Sequence, residues 1–166
     1  MRKILLATVV FISSFAHAQQ EVKVDLLDAL AFKTLEVSYE YYTTERSSVG
    51  ISALFNFEKR SADFKYNEKQ MFTPFFRHYF TNSSTWNYFG EVFMGINIGE
   101  KEIDLDGLPN TFKKYTDGAL GIAVGSKYIS SGGFVIDIYG GLGRNLFTPE
   151  SHSIVPRVGI NLGYRF

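Results

Sequence analysis

Arg157-Val-Gly-Ile-Asn-Leu-Gly-Tyr-Arg-Phe166 closes the chain, with Val158, Ile160, Leu162, Tyr164 and Phe166 at every second position. Strict alternation over that length reads as a β-strand with one apolar face. Five large apolar side chains on a strand abutting the C-terminus make an aggregation-prone edge unless something covers them. Lipid can provide that cover, so the rest of the chain is read for membrane-length strands whose two faces differ.

The other end fits an exported protein. Met1-Arg-Lys3 is a short basic start, Ile4 to Ile12 a mostly apolar core, and Ala16-His-Ala18 a small-residue cleavage triplet, which predicts a signal peptide over 1–18 removed before Gln19 by the general secretory route. The apolar run is too short to span a bilayer as a helix. No Cys follows the cleavage site, which argues against a lipoprotein anchor. The remaining stretch, 19–166, has the length of one domain.

Lys plus Arg and Asp plus Glu balance at 17 each, and Arg2 and Lys3 leave with the leader, so the mature chain is slightly acidic. Nucleic-acid binding normally needs a basic excess and is not expected. The absence of Cys removes disulfide and thiolate chemistry. Aromatics at 16%, with 15 Gly against 4 Pro, suit a tightly packed β-rich chain.

Period-2 patterning predicts eight strands: Val22 to Leu30, Leu35 to Tyr42, Val49 to Phe57, Gln70 to Phe80, Trp86 to Ile98, Asp117 to Tyr128, Phe134 to Asn145 and Ser153 to Phe166. Most approach the roughly 9 to 11 residues of a tilted membrane strand. The first alternates imperfectly and also reads as helical. Connections at Thr43 to Ser48, Thr81 to Thr85 and Ile129 to Gly133 are short and rich in turn residues, whereas Glu58 to Lys69 and Gly99 to Thr116 are long and polar, with a shorter stretch at Leu146 to His152. Short turns on one side and long loops on the other predict an eight-stranded antiparallel transmembrane up-and-down barrel, with both termini periplasmic and the charged loops facing outward. Tyr39, Tyr41, Tyr79, Phe80, Trp86, Tyr88, Tyr128, Phe134, Tyr164 and Phe166 cluster near the short turns as a periplasmic aromatic girdle, with Phe55, Phe57, Phe72 and Phe147 at the other level.

An Arg or Lys facing lipid at mid-membrane costs about 2–4 kcal/mol, so charged residues should face the lumen. That choice places Glu36, Glu40, Glu91, Asp117 and Asp137 inside with Arg77, Lys127, Arg157 and Arg165, alongside Ser38, Asn97, Tyr139 and Asn161. The opposite face is aliphatic, from Leu35 and Val37 through Val92, Met94, Ile96, Leu120, Ile122 and Val124 to Ile160 and Leu162. His78 and Pro74 are the blemishes on it, and Pro74 predicts a bulge. Eight strands enclose a space just wide enough for side chains. Opposite charges there should pair, with Arg77 and Arg157 as the bridging cations. Such a lumen reads as a solid polar plug, with a gated, ion-selective path as the alternative.

In length, leader, strand rhythm and terminal Phe the chain resembles the OmpA/OmpX-type eight-stranded outer-membrane barrels, and more narrowly small bacterial barrel families of unknown function. Leu35-Glu-Val-Ser-Tyr-Glu-Tyr41, Ser48-Val-Gly-Ile-Ser52, Pro74-Phe-Phe-Arg-His-Tyr-Phe80 and Gly159-Ile-Asn-Leu-Gly-Tyr-Arg-Phe166 carry the resemblance. It implies an outer-membrane location, assembly by the barrel-assembly machinery reading Tyr164 and Phe166, contact with outer-membrane lipid, and a structural role or an extracellular ligand met through the loops.

Catalytic signals are weak. Glu150-Ser-His-Ser153 offers the residue types of a barrel lipid A deacylase, but its spacing departs from the His-x-Ser arrangement of that family. His78 and His152 are too few for a His-rich metal site. Asp104-Leu-Asp-Gly107 is a fragment of a calcium loop lacking the later bidentate Glu. Gly140-Gly-Leu-Gly143 leads into no helix and is no phosphate loop. No cofactor, metal or catalytic residue is therefore expected, and the open rivals are a lipid-modifying barrel enzyme and a soluble calycin-like carrier with an apolar cavity.

Overall fold

The computed structural model describes residues 19–31, 34–57, 68–103, 111–147 and 154–166. The signal peptide expected over 1–18, most of the expected loop from Glu58 to Lys69, the Asp104 to Asn110 stretch and the Glu150-Ser-His-Ser153 cluster lie outside the described residues.

Eight antiparallel strands close in sequence order: β1 (Gln20–Asp25), β2 (Thr34–Thr44), β3 (Ser47–Asn56), β4 (Glu68–Tyr79), β5 (Trp86–Ile103), β6 (Thr111–Ile129), β7 (Phe134–Asn145) and β8 (Ile154–Arg165). Every strand pairs only with its chain neighbours except at the closure, where β1 meets β8 from Glu21↔Arg165 to Asp25↔Asn161. The terminal residues finish this seam: Gln20 and Phe166 exchange both backbone hydrogen bonds, at 3.1 and 2.9 Å. The period-2 reading thus recovers all eight strands and their order.

Three elements differ from expectation. β1 ends at Asp25, and Leu26–Ala31 forms a short helix, α1. The physical reason is visible in the sequence: Glu21, Lys23 and Asp25 alternate cleanly with Val22 and Val24, and then Leu26 and Leu27 break the period. Asp25 caps the new element, its Oδ1 accepting from the Leu27 N–H at 2.8 Å. α1 packs against both β2 and β8, filling the wall where β1 stops short. Second, β5 and β6 run on to Ile103 and from Thr111, pairing out to Ile103↔Thr111. The expected loop from Gly99 to Thr116 is strand at both ends, which pair with each other beyond the β4–β5 pair Glu68↔Gly99 and the β6–β7 pair Ala119↔Asn145, so that this hairpin outruns its neighbours. Third, Pro74 makes no bulge; Ile51↔Pro74 lies in unbroken register. Proline removes one ladder donor there and leaves the strand direction unchanged. Register shifts occur instead at Tyr42/Thr44 and Glu68/Gln70.

The tight β6–β7 turn needs Gly133, whose φ of 85° is in the left-handed region. A Cβ there would also sit 2.7 Å from the Arg165 carbonyl, so glycine is required by space as well as by torsion.

The two faces divide as expected. Val92, Met94, Ile96, Leu120, Ile122, Val124 and Val158 are exposed on the outside. Glu36, Glu40, Arg77, Glu91, Lys127, Asp137 and Arg157 are buried within. Near the short turns, Trp86 stacks obliquely on Tyr128 with ring centroids 5.2 Å apart, and Phe134, Tyr164 and Phe166 are exposed at the same end. Tyr79 is a correction to that girdle, since it points inward and is 3% exposed.

Candidate functional site

The buried charges converge on Glu40. Its position on β2 faces inward between Tyr39 and Tyr41, and β1, β4 and β6 bring three cations to it. Oε2 takes Lys23, Arg77 at 3.0 Å and Lys127 at 3.0 Å. Oε1 accepts from the Ser48 hydroxyl at 2.6 Å and the Tyr79 hydroxyl at 2.5 Å. Asp137 on β7 shares the same cations: its Oδ2 lies 2.8 Å from Lys23 and 2.7 Å from Arg77, and its Oδ1 3.7 Å from Lys127.

Two arms leave this centre. Toward the short turns, Glu21 joins Lys127 at 2.6 Å, Lys23 at 3.3 Å and Arg165 at 2.5 Å. Toward the loops, Arg77 Nε reaches Glu91 at 2.6 Å; Glu91 takes Arg157 at 2.7 Å, and Arg157 reaches Glu36 at 3.4 Å. Five acids (Glu21, Glu36, Glu40, Glu91 and Asp137) therefore meet five bases (Lys23, Arg77, Lys127, Arg157 and Arg165). Isolated ions in this space would be very costly, and a balanced chain of short ion pairs is the arrangement that tolerates their desolvation.

Aromatic rings hold the cations in place. The Arg77 guanidinium lies 4.2 Å from the Phe89 ring centroid and 4.7 Å from that of Phe75, and Arg157 lies 5.2 and 5.3 Å from Tyr139 and Phe93. Lys127 Nζ sits 5.1 Å over Tyr79. Glycines make the room: a Cβ on Gly163 would strike the Lys23 side chain, and one on Gly121 would enter the Phe93 ring.

Arg77 and Arg157 do bridge two or more carboxylates each, but the most connected group is Glu40. Asp117 also serves the backbone: buried on β6, it accepts the Phe147 N–H at 2.9 Å and that of Gly118 at 2.7 Å, stapling β6 to the segment after β7. Sequence reasoning missed Glu21, Lys23 and Asp25, all buried. The signal is the clean alternation of Gln20 to Asp25, masked by the change of period at Leu26. Asp25 ties the seam together, accepting the Ile160 N–H at 3.3 Å and the Tyr139 hydroxyl at 3.3 Å.

The loop-side half of the lumen is different. Leu54, Met71, Ala119 and Val155 form an apolar cluster. Asn97 donates to Asn145 at 2.7 Å. The hydroxyls of Ser38, Ser52 and Thr73 and the Asn97 Oδ1 are buried without a hydrogen-bond partner among the described residues. No cluster of three metal-ligating side chains occurs among the described residues.

Solved structures share this architecture. The chain is similar to the N-terminal β-barrel domain of Pseudomonas aeruginosa OprF at a TM-score of 0.59 and 13% identity, with 90% of this chain and 96% of that one covered. Neisserial surface protein A matches at 0.53 and 15%, covering 90% and 94%. Ail, the attachment invasion locus protein of Yersinia pestis, matches at 0.52 and 11%, covering 90% and 97%. At these identities the likeness is one of fold. No curated protein matches the sequence. The model of the family described as "Protein of unknown function (DUF3575)" matches residues 3–153, nearly the whole chain, and the protein belongs to that family.

Proposed function

We propose that this is a non-enzymatic barrel of the bacterial outer membrane, exported with removal of residues 1–18, whose lumen is closed to ions and whose role is structural or one of surface interaction. The observation that carries the reading is the inversion of polarity: ion pairs fill the inside while aliphatic side chains cover the outside. A calycin-like carrier needs the opposite, an apolar cavity within a polar wall. Lipid is the partner that this exterior fits. Tyr164 and Phe166, exposed at the end of β8, are what the assembly machinery would read. Attachment, for which the Yersinia pestis protein is named, is one form of surface role.

For ions, ten charged side chains pair with one another, and Asp25 and Asp117 accept from backbone N–H groups, in a lumen that eight strands barely hold open. Purified protein reconstituted in planar bilayers should give no steady conductance, and on gels it should migrate as a compact species until boiled. A stable, reproducible open channel would replace the plugged lumen with a pore. Recovery of the unboiled protein only in the soluble fraction of cells would overturn the membrane location.

A further inference from the structure

One side of the barrel wall departs from the even aliphatic covering. On β5 to β7 the outward side chains stand apart over glycines: Leu120, Ile122 and Leu142 are 52, 68 and 62% exposed, against 39 and 38% for Leu35 and Val37 on β2. The paired backbones Gly121↔Gly143 run between these rows. The result is a groove of about 410 Å³ on the outer face, with Val92 and Ile122 on one flank and Leu120 and Arg144 on the other.

Arg144 is the anomaly. It is exposed on the outside of β7 in register with Leu120 and Ile154, both apolar and both exposed. Among the described residues no carboxylate pairs with it. Its depth explains how a cation is tolerated there. A strand rises about 3.3 Å per residue, and tilted by about 40° it gains roughly 2.5 Å of height per residue. Ten residues above Phe134 in the inner girdle, Arg144 stands about 25 Å higher, at the far edge of an apolar band that is itself about 25 Å tall. Exposed Phe147 lies at the same level, its ring against Gly118. An arginine there is cheap to keep, whereas at mid-membrane it would be expensive.

A cation at the headgroup level above an acyl-sized groove matches one kind of molecule. We propose that this face binds a phosphorylated lipid of the outer leaflet, with its phosphate on Arg144 and one acyl chain along the groove between Leu120, Ile122 and Leu142. The planar guanidinium suits a bidentate phosphate contact. The inference rests on the outer-membrane placement given above and adds a ligand to it.

The test uses the full mature barrel in nanodiscs of zwitterionic lipid doped with an acylated, phosphorylated glucosamine disaccharide, and native mass spectrometry to count the lipid retained. Wild type should retain the phosphorylated lipid, R144Q about tenfold less, and R144K an intermediate amount. L120W, which fills the groove and keeps the cation, should also lose it. The dephosphorylated lipid should be held no better than by R144Q, and inorganic phosphate should not displace the bound lipid, since it lacks the chain. Equal retention by wild type and R144Q, or by the two lipids, would overturn the proposal. Heat-modifiability of each sample separates the failures: a barrel that inserts and holds no lipid loses only this site, whereas one that never inserts loses the membrane placement as well.

Discussion

The two halves of the lumen solve the same filling problem with opposite chemistry. Near the short turns, Glu40, Asp137, Lys23, Arg77 and Lys127 sit within ion-pair distance of one another, shielded by Tyr79 and Phe89. Near the loops, Leu54, Met71, Ala119 and Val155 pack as an ordinary small core, and hydroxyls at Ser52 and Thr73 have no hydrogen-bond partner among the described residues. The first half is specific because each charge needs its partners and tolerates few alternative arrangements. The second gains from burial alone, which is less demanding of geometry. Closure follows the same division, since β1 reaches only as far as the charged half and α1 completes the wall above it.

Breaking the charged half should have the largest effect. Glu40→Gln keeps the shape but leaves Lys23, Arg77 and Lys127 facing one another, and should destabilise the folded barrel by about 3–5 kcal/mol in urea titrations of the detergent-solubilised protein. Adding Lys23→Met should recover part of that loss by removing one unpaired cation, so the double variant should be more stable than E40Q alone. If E40Q costs nothing, the network is ornamental to stability.

The apolar half should respond by volume. Leu54→Ala opens a cavity beside Met71 and Val155 and should cost about 2–4 kcal/mol in the same titration, with no change in conductance. Thr73→Val makes the smallest change: the buried hydroxyl has no partner among the described residues, so the isosteric valine should be neutral or slightly stabilising, by up to about 1 kcal/mol. A clear destabilisation by T73V would mean that this half is wet and that the hydroxyl is hydrogen-bonded to solvent.

Legibility tracked the strength of local periodicity. β7 and β8 were readable because Phe134 to Asn145 and Ile154 to Arg165 alternate throughout, and the outward aliphatic rows followed at once. The charged lumen was readable as a set of inward positions on β2 and β4 to β8. β1 was obscured by six residues of a different period directly after it, and with it went Glu21, Lys23 and Asp25. Proximity to a turn points Tyr79 to the girdle, whereas its parity with Arg77 and Phe75 puts it inside. The inward position and sign of Asp117 can be read along its strand, whereas its backbone staple to Phe147 cannot.

By itself the sequence determined the strand number, the antiparallel order and the polarity of each face, because all three follow from a period of two and the spacing of turns. Only the tertiary structure decided that Glu40 is the point where the cations meet, that α1 completes the wall above β1, and that Arg144 overlooks a groove floored by glycines. Those features depend on the stagger of strands around a closed barrel, which brings β1, β2, β4, β6 and β7 to one level. No local pattern encodes that stagger, since each strand senses only its two neighbours while the ring must close as a whole.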